Sequence, residues 1–337
     1  MIGIGVIGCG YWGPNLVRNF SVISSAKLIM ACDLKNERLN PLASLYPSIK
    51  TTTNYQEMLN DPSIDAVAIA TPVSTHFKIA MESIKAGKHV FIEKPMTLNS
   101  DQGERLIEAA NNANLVLMVD HTFIYTGAIC KIKELVDRKE LGEIYYYDSI
   151  RVNLGLFQHD VNVMWDLAVH DISIMDYVLG SKPTAVSATG MGHVDGSQEN
   201  TAYMTLFFDS NLIAHINVNW LSPVKLRQTL MAGSKKMVVF NDIEPSEKVK
   251  IYDSGVTLNN NPDSTYQMLI GYRVGDMWAP QYNRAEALRT EAFHFINCIE
   301  GKERPLSDGE MGLRVVKILE GATISMKERG RLVTLSL

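Results

Sequence analysis

The spacing of three glycines near the N-terminus limits the fold more than any other feature of the chain. Gly8, Gly10 and Gly13 form the pattern G-x-G-x-x-G directly after the apolar segment Gly3 to Ile7. The first glycine permits a tight turn, the second lets the backbone approach a pyrophosphate, and the third lets a helix pack closely on the strand. Free amides at the N-terminus of that helix favour phosphate groups. The sequence therefore predicts a dinucleotide-binding turn between a strand and a helix.

An acidic residue follows at the distance that such a turn requires. Asp33 lies twenty residues after Gly13, at the end of the apolar segment Lys27 to Cys32. A carboxylate at this place can bind both hydroxyls of a ribose and repels a 2′-phosphate, which favours NAD over NADP as the cofactor. We also expect Tyr11 and Trp12, which lie inside the glycine loop, to contact the cofactor.

Apolar runs alternate with helical segments over the first third of the chain. Two of these runs, AVAIATP at residues 66–72 and HVFIEKP at residues 89–95, end in a proline, and a third, LVLMVD, spans residues 115–120. Strands that are apolar on both faces and alternate with helices indicate a parallel sheet covered on both sides. We therefore predict an α/β chain that begins with a Rossmann-type, doubly wound NAD-binding domain over residues 1–122.

The pattern changes after His121. Segments such as TAYMTLFFDSNLIAHINVNWL, residues 201–221, alternate apolar and polar side chains, as in an antiparallel sheet with one covered face. We predict that residues 123–337 form an α+β domain with an open, predominantly antiparallel sheet, which serves substrate binding and oligomerisation. Because an uncovered apolar sheet face needs a partner, we expect a homodimer or homotetramer.

Charge and cysteine content argue against several classes of function. The 32 Lys and Arg against 37 Asp and Glu give a net charge of −5, which favours binding to neither nucleic acid nor an anionic membrane. The four cysteines are not spaced as metal ligands, so we expect no metal site and free thiols in a reducing compartment. There is no apolar run near the ~20 residues of a membrane span and no signal-peptide pattern. The predicted location is the cytoplasm.

Polar residues at two strand ends are candidates for the cofactor site, since ligands of open parallel sheets bind beyond the carboxyl ends of the strands. Thr71 ends one strand and His76 follows it. Both can line the nicotinamide side, although His76 can equally be an ordinary surface histidine. Glu93 and Lys94 end the next strand, and Pro95 disfavours a helical conformation at Lys94. We predict that Lys94 is held extended at the cofactor crevice and that Glu93 orients it or contacts the cofactor.

A second candidate group lies in the segment WDLAVHDI, residues 165–172. Asp166 and His170 are four residues apart and therefore share one face of a helix. Histidine is the usual proton carrier near neutral pH, and a carboxylate one turn away can orient it. Such a pair often serves only to stabilise a helix, but apolar neighbours predict partial burial here. Trp165 can contact a substrate or pack in the core.

These motifs, taken in order, resemble those of the Gfo/Idh/MocA family of sugar and cyclitol oxidoreductases, and the resemblance covers essentially the whole chain. It implies a Rossmann domain followed by a domain whose open antiparallel sheet covers the active site and assembles oligomers. It also implies that Lys94 and His170 are catalytic residues at the reacting carbinol, with Asp166 nearby. Which of the two is the base stays open. The motifs are Gly8-x-Gly10-x-x-Gly13, Glu93-Lys94-Pro95 and Asp166-x-x-x-His170.

Longer segments are similar to one branch of that family, the enzymes that act on nucleotide-linked sugars. The branch includes UDP-N-acetylglucosamine and UDP-N-acetylglucosaminuronate 3-dehydrogenases, as well as 3-ketoreductases of dTDP-sugars. The resemblance implies NAD-dependent hydride transfer between nicotinamide and a secondary alcohol of a nucleotide-linked sugar, at C3. The segments are GCGYWGPNLVRNF, RVNLGLFQHDVNVMWDLAVHDISI and NVNWLSPVKLRQTLMAGSKKMVVFND.

Two pairs of alternating residues are candidates for binding the diphosphate of such a substrate. Arg151 and Asn153 precede the segment with Asp166, and Lys225 and Arg227 show the same spacing after NWLSP. For Lys225 and Arg227 a solvated strand face is an equal alternative. The predicted substrate contacts are completed by Lys94, Trp165, Asp166 and His170, and Tyr125 and Gln158 can contact the sugar or the cofactor.

Several other functions stay open. A dTDP-sugar 3-ketoreductase, a free-sugar dehydrogenase or an inositol dehydrogenase would keep the same fold and motifs, whereas a non-catalytic NAD-binding regulator would need no proton-carrying pair. A short-chain dehydrogenase is disfavoured because its Tyr-x-x-x-Lys motif matches only from Tyr46 to Lys50, where Pro47 interrupts a helix. A zinc alcohol dehydrogenase is disfavoured because the sequence has no cluster of cysteine and histidine ligands.

Overall fold

The computed structural model describes residues 1–155, 157, 161–194, 198–258 and 270–337. They divide into two compact units. Unit 1 contains Met1–Tyr125 and Ala285–Glu320, and unit 2 contains Thr126–Arg284 and Gly321–Leu337. The first crossing between the units lies close to the predicted boundary at residues 122 and 123, and the return of the chain to unit 1 has no counterpart in the sequence prediction.

Unit 1 is built on a six-stranded sheet in which every neighbouring pair is parallel. The strand order is β3-β2-β1-β4-β5-β6, which is the doubly wound order of dinucleotide-binding folds. The predicted parallel sheet is thus confirmed. Its strands are β1 (Ile2–Ile7), β2 (Ala26–Cys32), β3 (Lys50–Thr52), β4 (Ala66–Ile69), β5 (His89–Glu93) and β6 (Leu117–Asp120).

Helices connect successive strands of this sheet. The central strands consist of fully buried side chains on both faces, as in the adjacent Val67 and Ala68 of β4, and helices must therefore cover both sides. After β6 a 3-10 turn spans Thr122–Tyr125. The connecting helices are α1 (Gly13–Ser21), α2 (Asn36–Leu45), α3 (Tyr55–Asn60), α4 (Val73–Lys85) and α5 (Ser100–Asn112).

Unit 2 contains a nine-stranded sheet of order β14-β13-β12-β11-β7-β10-β9-β8-β15. Every neighbouring pair is antiparallel except β7 with β10, which confirms the predicted, predominantly antiparallel sheet. The helices are α6 (Gly127–Asp137) and α7 (Val169–Leu179). The strands are β7 (Ile144–Leu154), β8 (Ala185–Met191), β9 (Thr201–Phe207), β10 (Ile213–Asn219), β11 (Leu221–Gly233), β12 (Met237–Asn241), β13 (Val249–Leu258), β14 (Ile270–Trp278) and β15 (Val333–Thr334).

The two C-terminal helices are α8 (Ala287–Ile299) and α9 (Gly309–Lys327). Helix α8 joins the core of unit 1 through three aromatic rings. Phe295 lies 5.4 Å from Phe91 of β5 and 6.3 Å from Phe20 of α1 between ring centroids. These edge-to-face contacts explain why a helix so late in the chain packs on the first unit. Among the described residues, no helix is both long enough and apolar enough to cross a lipid bilayer.

Candidate active site

The glycine turn of unit 1 has the geometry that its sequence predicts. Gly8 has a φ of +92°, and a Cβ atom there would lie 2.5 Å from the carbonyl oxygen of Ala70. A Cβ on Gly13 would lie 1.9 Å from the carbonyl oxygen of Gly8. Only glycine fits at both positions, and the resulting close approach of α1 to β1 forms the cradle that a dinucleotide needs.

Asp33 is fixed beside this turn at the end of β2. Its Oδ2 accepts hydrogen bonds from the amide of Cys9 at 2.8 Å and from Nη1 of Arg38 at 3.3 Å, and its Oδ1 accepts one from the amide of Lys35 at 2.9 Å. Burial acts to raise the pKa of Asp33, but these donors outweigh it and lower the pKa below its usual value. The group is therefore an ionised carboxylate at neutral pH.

The other predicted cofactor contacts of the glycine loop differ in their surroundings. Tyr11 is 91% exposed, so its ring is available to a ligand. Trp12 instead donates from Nε1 to Oδ2 of Asp120 at 3.1 Å. Asp120 is the last residue of β6, so this bond ties the glycine loop to the carboxyl end of a strand three positions away in the sheet.

His76 is a structural link between two strand ends rather than an ordinary surface histidine. It is buried, and its ring nitrogens lie 2.9 Å from the carbonyl oxygen of Pro95 and 2.8 Å from that of Thr71. The Thr71 hydroxyl accepts a hydrogen bond from Thr75 at 2.7 Å. His76 thereby fixes the backbone next to Lys94, which places the predicted residues Thr71, His76 and Lys94 in one region.

The end of β5 carries Glu93 and the half-buried Lys94. The amide of Lys94 donates to Oε2 of Glu93 at 3.3 Å, and the Lys94–Pro95 bond is cis. Burial, together with the charge of Asp120 and a hydrogen bond to it, raises the pKa of Glu93 well above its usual value. Glu93 lies opposite Asp120 in the sheet, and its raised pKa favours the protonated acid. Its predicted contact with the cofactor stays a prediction.

Asp166 and His170 lie on one continuous helical segment of unit 2, but its first turn is not α-helical. Met164–Ala168 form a π-helical turn, after which α7 begins at Val169. The π turn leaves Asp166 directed to Trp220, whose Nε1 donates to its Oδ2 at 3.1 Å. Such turns often occur at functional sites. Here the π turn holds the Asp166 carboxylate in a fixed position, one helical turn before the half-buried His170.

Arg151 is committed to an ion pair inside unit 2. It is 3% exposed, and it donates from Nε to Oδ2 of Asp171 at 2.6 Å and from Nη2 to Oδ1 at 3.3 Å. The Ser149 hydroxyl donates to the same Oδ1 at 2.6 Å. This bidentate arrangement joins β7 to α7, so Arg151 positions the helix that carries His170. Its partner on the predicted face, Asn153, is half-buried near the end of β7.

The second basic pair lies on β11. Lys225 is exposed. Arg227 is opposite Arg151 in the sheet and donates from Nη1 to Oδ2 of Asp242 at 3.4 Å. Lys248 binds Oδ1 of the same Asp242 at 3.0 Å. Arg227 therefore belongs to a local network of charges, whereas Lys225 has the exposure that an anionic ligand needs.

Trp165 and Tyr125, the remaining candidates that the structure describes, both form hydrogen bonds with neighbouring side chains. Trp165 donates from Nε1 to the Thr323 hydroxyl at 3.0 Å. Tyr125 is buried, and its hydroxyl lies 3.0 Å from that of Ser307. Gln158 lies outside the described residues. Within the described ranges, no group of three or more His, Cys, Asp and Glu side chains is arranged to hold a metal ion.

Sequence reasoning missed four polar residues at these sites. Asp120 ends β6, so the rule that selected Thr71 and Lys94 at strand ends could have selected it as well. Asp171 follows His170 directly, and its acidic side chain was visible but unassigned. Glu291 and Trp220 carry no local signal, because each meets its partner only through the folded chain. The missed residues are Asp120, Asp171, Trp220 and Glu291.

Comparison with family models matches both parts of the chain. Residues 2–121 match the GFO_IDH_MocA model, described as an oxidoreductase family with an NAD-binding Rossmann fold. Residues 129–239 match the GFO/IDH/MocA C-terminal domain. The two models follow each other without overlap and together cover the glycine turn, the end of β5 and the Asp166–His170 segment.

Two full-length relatives show the range of named activities. A UDP-N-acetylglucosamine 3-dehydrogenase from Acidithiobacillus ferrooxidans is 27% identical and covers 93% of this chain and 93% of its own length. A myo-inositol 2-dehydrogenase from Thermotoga maritima is 26% identical and covers 97% of this chain and 96% of its own length. The identity is nearly equal, so it does not distinguish the two substrates.

Solved structures have the same fold. The WlbA dehydrogenase from Bordetella pertussis, in complex with NADH and UDP-GlcNAcA, has a TM-score of 0.80 at 21% identity and covers 100% of this chain and 99% of its own. The UDP-N-acetylglucosamine 3-dehydrogenase GnnA from Acidithiobacillus ferrooxidans also has a TM-score of 0.80, at 22% identity, and covers 97% and 98%. With both family models matched in order, this chain belongs to the Gfo/Idh/MocA family of oxidoreductases and has its NAD-binding Rossmann domain.

Proposed function

We propose that this chain is an NAD-dependent dehydrogenase that oxidises, at C3, a nucleotide-linked sugar such as UDP-N-acetylglucosamine or its uronate. The observation that carries the cofactor assignment is the ionised Asp33 beside the glycine turn, because a carboxylate there repels a 2′-phosphate. The substrate assignment is supported by the UDP-N-acetylglucosamine 3-dehydrogenase that matches almost the full length of this chain.

The proposed chemistry assigns proton transfer to two residues. Bound NAD supplies a nicotinamide that accepts hydride from the carbinol carbon. His170 takes the proton of the reacting hydroxyl, and Lys94 donates an N–H to the oxygen as it gains negative charge; the opposite assignment of the two roles serves the same reaction. Asp166, held by Trp220, keeps the π turn before His170 in place.

The proposed diphosphate contacts are Lys225, Arg227 and Asn153. Lys225 is exposed on β11, and Arg227 can share its guanidinium between Asp242 and a phosphate because it has several donors. Arg151 is buried against Asp171, and we assign it to the support of α7. Trp165, on the same π turn as Asp166, completes the proposed substrate contacts.

Inositol oxidation is the second candidate function, because the myo-inositol 2-dehydrogenase relative matches this chain to the same extent. A cyclitol has no diphosphate, so it would not use Lys225. Replacing Lys225 with alanine should therefore weaken the binding of a nucleotide-linked sugar and leave the binding of an inositol unchanged.

A thermal-shift panel tests the substrate assignment. The protein with saturating NAD is melted with UDP-sugars, dTDP-sugars, UDP, dTDP and inositols, and compounds that raise the melting temperature are assayed for NADH absorbance and product structure. We expect UDP-N-acetylglucosamine or its uronate to stabilise the complex and to be oxidised. Stabilisation and turnover by inositols alone would select the cyclitol function, and NAD binding without any turnover would favour a regulator.

Variants test the catalytic residues once a substrate is known. Lys94→Ala and His170→Ala should each lower kcat at least tenfold, the usual range for loss of a positioned acid or base being about 10²–10⁴, while the Kd for NAD stays close to that of the original protein. Near-normal turnover in both variants would contradict the assignment.

We further propose that the protein is a homodimer or homotetramer. The face of the unit 2 sheet opposite to its buried side chains carries exposed apolar residues on neighbouring strands, among them Phe207, Ile213 and Tyr146. An apolar patch of this kind is typical of a protein–protein contact.

A further inference from the structure

Three carboxyl groups that the proposed chemistry does not use meet inside unit 1. They belong to Glu93 at the end of β5, Asp120 at the end of β6 and Glu291 on α8. Asp120 and Glu291 are 2% and 0% exposed, and Oε1 of Glu93 is buried. In the pairing of β5 with β6, Glu93 lies opposite Asp120. Among the described residues, no donor bonds to Oε1 of Glu93 or to either carboxyl oxygen of Glu291, and the charge of Asp120 acts on both glutamates. We call these three residues the carboxyl cluster.

A contact between two carboxyl groups is favourable only when one of them carries a proton. Burial, with Asp120 next to it, raises the pKa of Glu93 and of Glu291 well above the usual value. Glu291 also meets the Thr122 hydroxyl, but that hydroxyl donates its one proton to Asp120. The raised pKa favours the protonated form of both glutamic acids, in which each can donate a hydrogen bond to Asp120.

Asp120 receives further donors from two directions. The amide of Thr122 donates to its Oδ1 at 3.3 Å, and Nε1 of Trp12 donates to its Oδ2 at 3.1 Å. All of these groups converge on the two oxygens of one carboxylate. Asp120 is thus the residue through which the ends of β5 and β6, helix α8 and the glycine loop are joined.

The other titratable groups around the carboxyl cluster add little negative charge. Lys94 follows Glu93 on β5, and His121 follows Asp120 on β6. Burial lowers the pKa of His121 to about 4, with Lys94 and Arg314 of α9 acting in the same direction and Asp120 opposing them. His121 is therefore neutral near pH 7, and Lys94 is a positive charge that acts directly on Glu93 of the carboxyl cluster.

We propose that Asp120 is a positioning residue for the cofactor: with protons supplied by Glu93 and Glu291, it holds Trp12 and hence the glycine loop in the form that binds NAD. This inference rests on the NAD binding of the proposed function but not on the identity of the sugar. It predicts that NAD affinity falls at alkaline pH, because loss of a proton from either glutamate replaces a hydrogen bond by repulsion between two buried carboxylates.

The experiment measures the Kd for NAD by isothermal titration calorimetry between pH 6 and 9.5, without any sugar. We expect the Kd to rise with pH in the unmodified protein. Glu291→Gln should flatten this dependence, because the amide keeps an N–H donor for Asp120 and cannot ionise. Asp120→Asn and Trp12→Phe should each weaken NAD binding about tenfold, and the double variant should be no weaker than either single variant.

A matched control separates positioning from a general loss of stability. Asp65 accepts a hydrogen bond from the amide of Gly3 at 2.7 Å, near the first residues of β1 and away from the glycine turn. Asp65→Asn should lower the melting temperature and leave the Kd for NAD and its pH dependence unchanged.

Two outcomes would overturn the proposal. One is a Kd for NAD in the unmodified protein that does not change with pH over this range. The other is full additivity of the Asp120→Asn and Trp12→Phe effects, which would show that the two residues act independently. No NAD binding at any pH in the unmodified protein would instead contradict the proposed function. The Glu291→Gln variant and the pH series keep the test valid even if Asp120→Asn fails to fold.

Discussion

Asp33 is the residue that decides between NAD and NADP in the proposed site. It faces the glycine turn through the Cys9 amide, and it is ion-paired with Arg38, whose side chain is 48% exposed and therefore accessible to a ligand. Asp33→Ser removes the negative charge and leaves Arg38 to attract a 2′-phosphate. We expect the Kd for NADP to fall at least tenfold and the Kd for NAD to rise, measured by calorimetry.

The gain in affinity for NADP should depend on the guanidinium of Arg38. Adding Arg38→Ala to Asp33→Ser should cancel this gain, while the binding of NAD stays weaker than in the unmodified protein. An unchanged preference for NAD in the Asp33→Ser variant would show that discrimination between the cofactors resides elsewhere.

Trp220 is the residue on which the position of Asp166 depends. Its Nε1 is the donor to Oδ2 of Asp166, and its ring packs against Phe157 with centroids 5.4 Å apart. Trp220→Phe keeps an aromatic ring in the core but removes the donor, which leaves a carboxylate oxygen without this bond. We expect kcat for the sugar substrate to fall about tenfold, with little change in the Kd for NAD; equal losses in both would indicate a general structural defect.

At the scale of elements, some segments were predictable from local patterns and others were not. The apolar run and glycines gave β1 and α1 because their determinants are adjacent in sequence. The spacing of Asp166 and His170 predicted one helix through both residues, but it cannot detect the hydrogen-bond shift that makes Met164–Ala168 a π turn. The period-2 pattern of β7 predicted that Arg151 and Asn153 share a face; it could not show that Asp171 of α7 would bury Arg151.

The Arg151–Asp171 ion pair should be a main stabiliser of the packing of α7 on β7. Arg151→Met leaves the buried Asp171 carboxylate with fewer donors, and breaking a buried pair in this way costs about 3–5 kcal/mol. We expect a loss of this size in the free energy of unfolding, measured by urea denaturation with tryptophan fluorescence, because Trp165, Trp220 and Trp278 all lie in unit 2.

An exposed ion pair provides the control for this prediction. Arg18 and Glu286 are bonded on the surface of unit 1, with side chains that are 45% and 38% exposed. Arg18→Met should cost no more than about 1 kcal/mol. A similar loss of unfolding free energy in both variants would mean that burial of the Arg151–Asp171 pair adds nothing to the stability of the protein.

At the scale of the whole molecule, the proposed oligomer should depend on the exposed sheet face of unit 2. Phe207, Ile213 and Tyr146 are neighbours across β9, β10 and β7. Ile213→Asp places a charge in the middle of this row and should shift the molar mass, measured by light scattering, towards the monomer. Leu45→Asp, at an exposed position of α2, is the control and should leave the mass unchanged. An unaltered mass for Ile213→Asp would place the interface elsewhere.

The carboxyl cluster makes the stability of the protein depend on pH. Glu93 and Glu291 have raised pKa values in the folded state, so the folded chain binds more protons than the unfolded chain above about pH 4.3, and stability falls as the pH rises from there towards the folded pKa values. His121 acts in the opposite sense, because its pKa of about 4 makes stability rise with pH only up to about 6.5. Of these three groups, only the two glutamic acids lower the stability as the pH rises above about 6.5.

Glu291→Gln removes one of the two groups that lower the stability as the pH rises. Its amide can still donate a hydrogen bond to Asp120. We expect the variant to melt at least about 2 °C higher than the unmodified protein at pH 8, with a much smaller difference at pH 5, where the glutamic acid keeps its proton at little cost. The measurement is differential scanning calorimetry at both pH values in buffers of equal ionic strength.

Glu303→Gln, which removes a partly exposed carboxylate bonded to Asn297 at 3.0 Å, is the control and should not reproduce the gain in melting temperature at pH 8. A lower melting temperature for Glu291→Gln at pH 8 would mean that Glu291 is ionised in the folded protein and that Asp120 has a different partner.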